Sequence, residues 1–153
     1  MIKKALFLAL YLVIIANAFI HAQTTVNTVP FHGALATKTR YQVVYQLNSD
    51  EDAHIKATLK NIRNALSDSR LINKLDVELV VHGKGLAAFK IGSPYEELLR
   101  QLKQQKVILA MCENTMRERD IKREDLYSFV SYVPSGNGEL IIRQQEGWAY
   151  IHP

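Results

Sequence analysis

The chain has 153 residues, with 48% hydrophobic residues, a formal net charge of +4 and one cysteine. That length suffices for one domain with a core of its own. A lone cysteine excludes an internal disulfide, and a weak positive balance without a clustered basic surface argues against nucleic-acid binding.

In chain order, Met1-Ile2-Lys3-Lys4 is a short basic start, followed by an apolar run from Ala5 to about Ile20 that only Asn17 interrupts. With Ala22 at the −1 position this is the pattern of a secretory signal peptide covering residues 1–22. Ala16-Asn17-Ala18 is a competing cleavage site, and an uncleaved membrane anchor is the alternative. The expectation is therefore an exported, periplasmic protein, with no membrane contact after cleavage. Residues 23–38, with Pro30 and Gly33 and no periodicity, read as an extended lead-in, and residues 39–153 as the folded domain.

Tyr41–Leu47, rich in β-branched and aromatic residues, predicts a strand. Ile55, Leu59, Ile62 and Leu66 then recur at helical spacing and predict an amphipathic helix, with His54 facing solvent. Val77–Val81 predicts a second strand, ending at His82-Gly83-Lys84-Gly85. A helix from about Pro94 to Gln104 follows, with Ser93 and Glu96 as a capping box and Pro94 at the first helical position. Val107–Met111 predicts the third strand, closing at Cys112. A broken helical stretch runs from about Asn114 to Tyr127. Val130–Val133 predicts a short fourth strand, ending at Ser135-Gly136-Asn137-Gly138. A helix over Glu139–Glu146 and a strand at Ala149–Ile151 complete the pattern. Strand and helix in alternation imply parallel pairing through right-handed crossovers, and so an open α/β/α sheet.

In such sheets functional groups collect beyond the carboxyl ends of the strands. Here those ends carry Asn48, His82, Cys112 and Ser135. Cys112 is the strongest candidate, because a thiol beside a helix amino terminus feels partial positive charge, which favours the nucleophilic thiolate. Its plain alternative is a small buried hydrophobe. His82 is a candidate proton acceptor for Cys112, or else a hydrogen-bonded loop residue. Asn114 and Thr115 are supporting candidates that read first as caps of the short helix. Arg117 and Arg119 would favour a thiolate, and Glu113 opposes them. His152 reads as structural or inert. The loops with Gly83 and Gly85, and with Ser135 and Gly136, are candidate anion cradles, the alternative being ordinary glycine turns. No metal-ligand spacing, P-loop, dinucleotide fingerprint or Gly-x-Ser-x-Gly elbow is present, so neither a metal nor a cofactor is expected.

Leu79-Val80-Val81-His82-Gly83, the run from Val107 through Cys112 to Met116, Val133-Pro134-Ser135-Gly136 and the closing Gln145–Pro153 follow one another as in the DsrE/DsrF-like family. The chain resembles its exported, single-domain members over roughly Tyr41 to Pro153. The resemblance implies a three-layer α/β/α sandwich with a five-stranded parallel sheet. It also implies homo- or hetero-oligomers, commonly trimers or hexamers, with a homo-oligomer expected here, and sulfur carried as a persulfide on a strand-end cysteine, here Cys112. A sulfur donor or acceptor protein, or a small sulfur species, would then be the partner. Relatives that relay sulfur to transfer RNA work in the cytoplasm, and an exported chain departs from them. The alternative is a non-enzymatic oligomeric module, binding a small ligand or a protein, in which Cys112 is structural.

Overall fold

The computed structural model describes residues 30–153. The expected signal peptide and the first residues of the lead-in lie outside them. Residues 30–40 carry no helix or strand, and Leu35–Pro153 form one compact unit.

The strands are β1 (Tyr41–Leu47), β2 (Leu75–Val81), β3 (Ile108–Cys112), β4 (Ser131–Val133) and β5 (Ala149–Ile151). They form one sheet in the order β4-β3-β2-β1-β5, and every pair is parallel. The helices are α1 (Asp52–Ser67), α2 (Glu96–Gln104), α3 (Glu113–Glu118) and α4 (Gly136–Gln145). This is the three-layer α/β/α sandwich that the alternation of patterns predicts. Among the described residues no helix is long and apolar enough to cross a membrane.

Because successive strand residues point to opposite faces, the inner strands β1, β2 and β3 each serve two cores. One joins Val43, Tyr45 and Leu47 of β1 and Val77, Leu79 and Val81 of β2 to Ile55, Leu59 and Ile62 of α1 and Leu99 and Leu102 of α2. The other is small: Val44, Val80 and Ala110 from the sheet, Leu140 of α4, and Trp148. A carboxylate also lies on that second face, since Glu78 is 1% exposed and its Oε2 sits 2.6 Å from Arg143 Nε of α4.

Three local expectations change. Gly83–Phe89 forms a 3₁₀ helix rather than a glycine turn. Gly85 is required there, because a Cβ would lie 2.4 Å from the Leu47 carbonyl oxygen. The helix expected from Pro94 begins at Glu96 without a side-chain cap. Ser93 donates its hydroxyl to the Ala88 carbonyl at 2.9 Å and lies 3.1 Å from the Tyr127 hydroxyl, keeping only a long 3.5 Å bond from the Tyr95 N–H on its own side of the helix. The Ser135–Gly138 segment is no turn either: it opens α4, with the Ser135 hydroxyl accepting from the Gly138 N–H at 3.2 Å. The helical stretch after Cys112 breaks as expected, into α3 and a 3₁₀ turn at Arg123–Asp125.

Candidate functional site

Cys112 closes β3 and is itself the N-cap of α3. Its backbone is extended, and its Sγ accepts from the Thr115 N–H at 3.5 Å. Burial pushes the thiol up, but hydrogen bonds from the Thr115 N–H, the Thr115 hydroxyl, and the Gly136 and Asn114 N–H groups outweigh it. The balance lies below the ordinary thiol value. The donors come from two helix starts, α3 in sequence and α4 across the sheet end. Each concentrates unpaired N–H groups and partial positive charge.

Thr115 has its orientation set by a neighbour. The Gly83 N–H donates to Thr115 Oγ1 at 2.9 Å, which occupies the oxygen as acceptor and leaves the hydroxyl proton for the sulfur. Thr115 is 4% exposed, and so is Cys112. The sulfur thus sits under cover at the sheet end, among polar donors as well as apolar neighbours.

His82 directly follows β2, whose neighbour in the sheet is the strand that ends at Cys112. Its Nε2 lies 2.7 Å from Gln46 Nε2. The Gln46 amide also meets the Tyr150 hydroxyl through Oε1. With its nitrogen toward His82, the amide donates to Nε2 of the tautomer that carries its proton on Nδ1. Burial, and secondarily His152, hold its pKa below the usual histidine value. Nε2 is committed to Gln46 rather than to the thiol. The imidazole packs instead against Gly136, where an added Cβ would meet the His82 Cβ at 3.0 Å.

The other expected residues distribute as follows. Asn114 contributes its N–H to the sulfur, while its side-chain oxygen accepts from Arg117. Glu113 pairs with Arg123 at 2.7 Å. Backbone N–H groups and one hydroxyl, rather than arginine side chains, therefore act on the sulfur. Asn48 Oδ1 lies 3.2 Å from His152 Nε2, which gives His152 a partner within the network of strand ends. His54, expected to face solvent, has its Nε2 buried without a hydrogen-bond partner among the described residues. Its ring stands edge-on to His152 at 6.1 Å. In the two glycine loops the Gly83, Gly85 and Gly138 N–H groups already have protein acceptors. Among the described residues no group of three His, Cys, Asp or Glu side chains could hold a metal ion. A cavity of about 570 Å³ lies far from this chemistry, at the amino ends of β1 and β2, lined by Leu66, Ile72, Lys74 and Lys106 among others. Helix carboxyl ends border it, and nothing connects it to the thiol.

Sequence reasoning named Thr115 as a helix cap and Gly136 as part of an anion cradle without joining either to the sulfur, and it missed the Gln46–Tyr150 chain. Ser135 ahead of a helical pattern was a legible N-cap signal. The other contacts join strand ends that are remote in sequence and leave no local mark.

An all-parallel five-stranded sheet, with a thiol ending its third strand under two helix starts, defines an α/β domain built around a strand-end cysteine. The chain belongs to the DsrE/DsrF-like family, whose model matches residues 24–153. It is similar to the solved structure of a protein of unknown function, MTH1491 from Methanobacterium thermoautotrophicum. That similarity is 32% identity with a TM-score of 0.70, covering 74% of this chain and 99% of that one. It shares its fold with the ychN protein from E. coli at 18% identity and a TM-score of 0.59, again over 74% of this chain and 99% of that one. No curated protein matches the sequence.

Proposed function

We propose that Cys112 is a sulfur carrier that works as a persulfide. The observation that carries this reading is the placement of the sulfur: Cys112 ends β3, caps α3 and accepts from the Thr115 N–H at 3.5 Å, and the donors of Thr115, Gly136 and Asn114 together hold its pKa below the ordinary thiol value. A cysteine kept only for packing behaves as a small hydrophobe and needs no such set of donors. Family membership, associated with sulfur relay, supports the same chemistry.

In the loading step the Cys112 thiolate attacks the terminal sulfane sulfur of a polysulfide or of a partner's persulfide. An S–S bond forms to Sγ, the donor's S–S bond breaks, and its electron pair leaves with the shortened polysulfide or the partner's thiolate. Unloading is the same displacement, with an acceptor thiolate attacking the outer sulfur. Neither step needs an external oxidant or reductant. The proposal extends to an exported protein, on the basic and apolar start of the sequence. It extends also to a homo-oligomer, trimer or hexamer, supported by Ile141 and Ile142 of α4 and Tyr150 and Ile151 of the edge strand β5, all of which stand exposed.

Incubation of the folded protein with polysulfide, followed by intact mass spectrometry, tests the reading. The expected result is a gain of one sulfur atom that dithiothreitol removes and that Cys112→Ser abolishes. No Cys112-dependent gain overturns it. A second reading, a binding module with a structural cysteine, is favoured by the 4% exposure of Cys112. It predicts a native thiol that alkylating reagents reach only after unfolding.

A further inference from the structure

α4 faces the sheet with Gly136, Leu140 and Arg143, spaced as i, i+4 and i+7, which is one stripe of a helix. β2 and the residue that directly follows it offer Glu78, Val80 and His82, alternate residues that share one face. The two rows meet in opposite order. Arg143 Nε lies 2.6 Å from Glu78 Oε2, Leu140 clusters with Val80, and Gly136 abuts His82. Seven helical residues rise about 10 Å and four strand residues about 13 Å, so the helix lies along the strand and antiparallel to it.

These three contacts differ in what they can specify. Leu140 rests on Val44, Val80 and Ala110, and apolar packing of this kind has no preferred direction. Gly136 has no side chain. The Arg143–Glu78 contact alone is directional. Arg143 Nε also lies 3.0 Å from Glu139 and its Nη1 3.2 Å from Glu146, and its guanidinium stacks on the Trp148 ring at 4.4 Å. A buried ion pair is a poor source of stability, because desolvation offsets its attraction; its best-attested use is to fix a register. We propose that the Glu78–Arg143 pair is a positioning element for Cys112: it sets where α4 lies along β2 and so holds Gly136, the first residue of α4, against His82 at the strand end next to Cys112. The inference rests on the reading of Cys112 as a working thiolate.

The test is the titration of the thiolate by its ultraviolet absorbance. The signal is assignable because Cys112 is the only cysteine. Arg143→Met raises the Cys112 pKa by about half a unit or more, as the positive start of α4 moves off the strand end, and Arg143→Lys recovers part of the shift. The paired variant Glu78→Met with Arg143→Met removes both charges, so no net field change reaches the thiol. It folds with a thermal midpoint near that of the parent and still shows the raised pKa. A folded double variant that titrates like the parent overturns the inference, as does an Arg143→Lys protein no closer to the parent than Arg143→Met. The two readings fail separately. A parent thiol that titrates at the ordinary value and takes up no sulfur sinks the function, whereas a depressed thiol that these variants leave unmoved sinks only the positioning role.

Discussion

The two faces of the sheet are built from the same strands and do different work. Beneath α1, α2 and the 3₁₀ helix lies a broad apolar layer in which Leu47, Leu59, Leu79, Phe89, Leu99 and Leu109 are each fully buried. Against α4 the described residues form a small cluster, Val44, Val80, Ala110, Leu140 and Trp148 with Val133 at its edge, and an ion pair among them. Burying a leucine or phenylalanine contributes about 1.5–3 kcal/mol, so the first face dominates the stability. The second has few side chains to lose and is fixed instead by directional contacts. Cys112 sits where the faces meet: it clusters with the larger core, and its sulfur takes the α4 N–H from the smaller one. A stable layer holds the cysteine still, and the starts of α3 and α4 lower its pKa, Thr115 of α3 most of all.

Mutations on the two faces should separate stability from thiol chemistry. Phe89→Ala carries the largest expected loss of stability, about 3–5 kcal/mol, with little change in thiol titration once the protein is folded. Leu140→Ala on the thin face costs about 2 kcal/mol. Urea unfolding of both variants measures the difference, and equal losses would break the comparison. Thr115→Val comes next. It strands the Gly83 N–H at a cost of about 1–3 kcal/mol and removes one donor from the sulfur. Its Cys112 titration therefore moves toward higher pH, as thiolate absorbance would show. Ser135→Ala loses the cap that accepts from Gly138. It costs about 1 kcal/mol and raises the thiol pKa, because the first turn of α4 frays around Gly136.

The smallest effect is the pH dependence due to His82. Burial first and His152 second depress its folded pKa, so as pH falls the unfolded chain takes up the proton before the folded one. The stability that His82 contributes is present above about pH 6.5 and is lost as pH falls from there through the folded value. Between about pH 7 and about pH 5 the thermal midpoint should fall less steeply in His82→Gln than in the parent. Parallel slopes would show that the imidazole is not held neutral by its surroundings.

Several features were legible because they depend only on residues close together in sequence. The β1 range follows from its β-branched and aromatic run, and α1 from Ile55, Leu59 and Ile62 at helical spacing. The alternation of these patterns dictated parallel strands, which in turn put Cys112 at a carboxyl end. Other features failed locally for physical reasons. Ser93 and Glu96 have the spacing of a capping box, yet Ala88 and Tyr127 offered the serine better partners. The glycines at 136 and 138 suggested a turn, but Ser135 capped them into a helix. Glu78, a charge within an apolar strand, was a visible sign of a buried partner whose identity no local pattern names.

The sequence by itself determined the order of the elements, the parallel sheet and the placement of the only thiol at a strand end, because periodicity and chain connectivity are local properties. Only the tertiary structure decided which groups reach that thiol. The Gly136 N–H, the Gly83 N–H that orients Thr115, and the Glu78–Arg143 pair all join segments distant along the chain. Those meetings are fixed by sheet order and helix register, quantities that exist only after the two faces have packed.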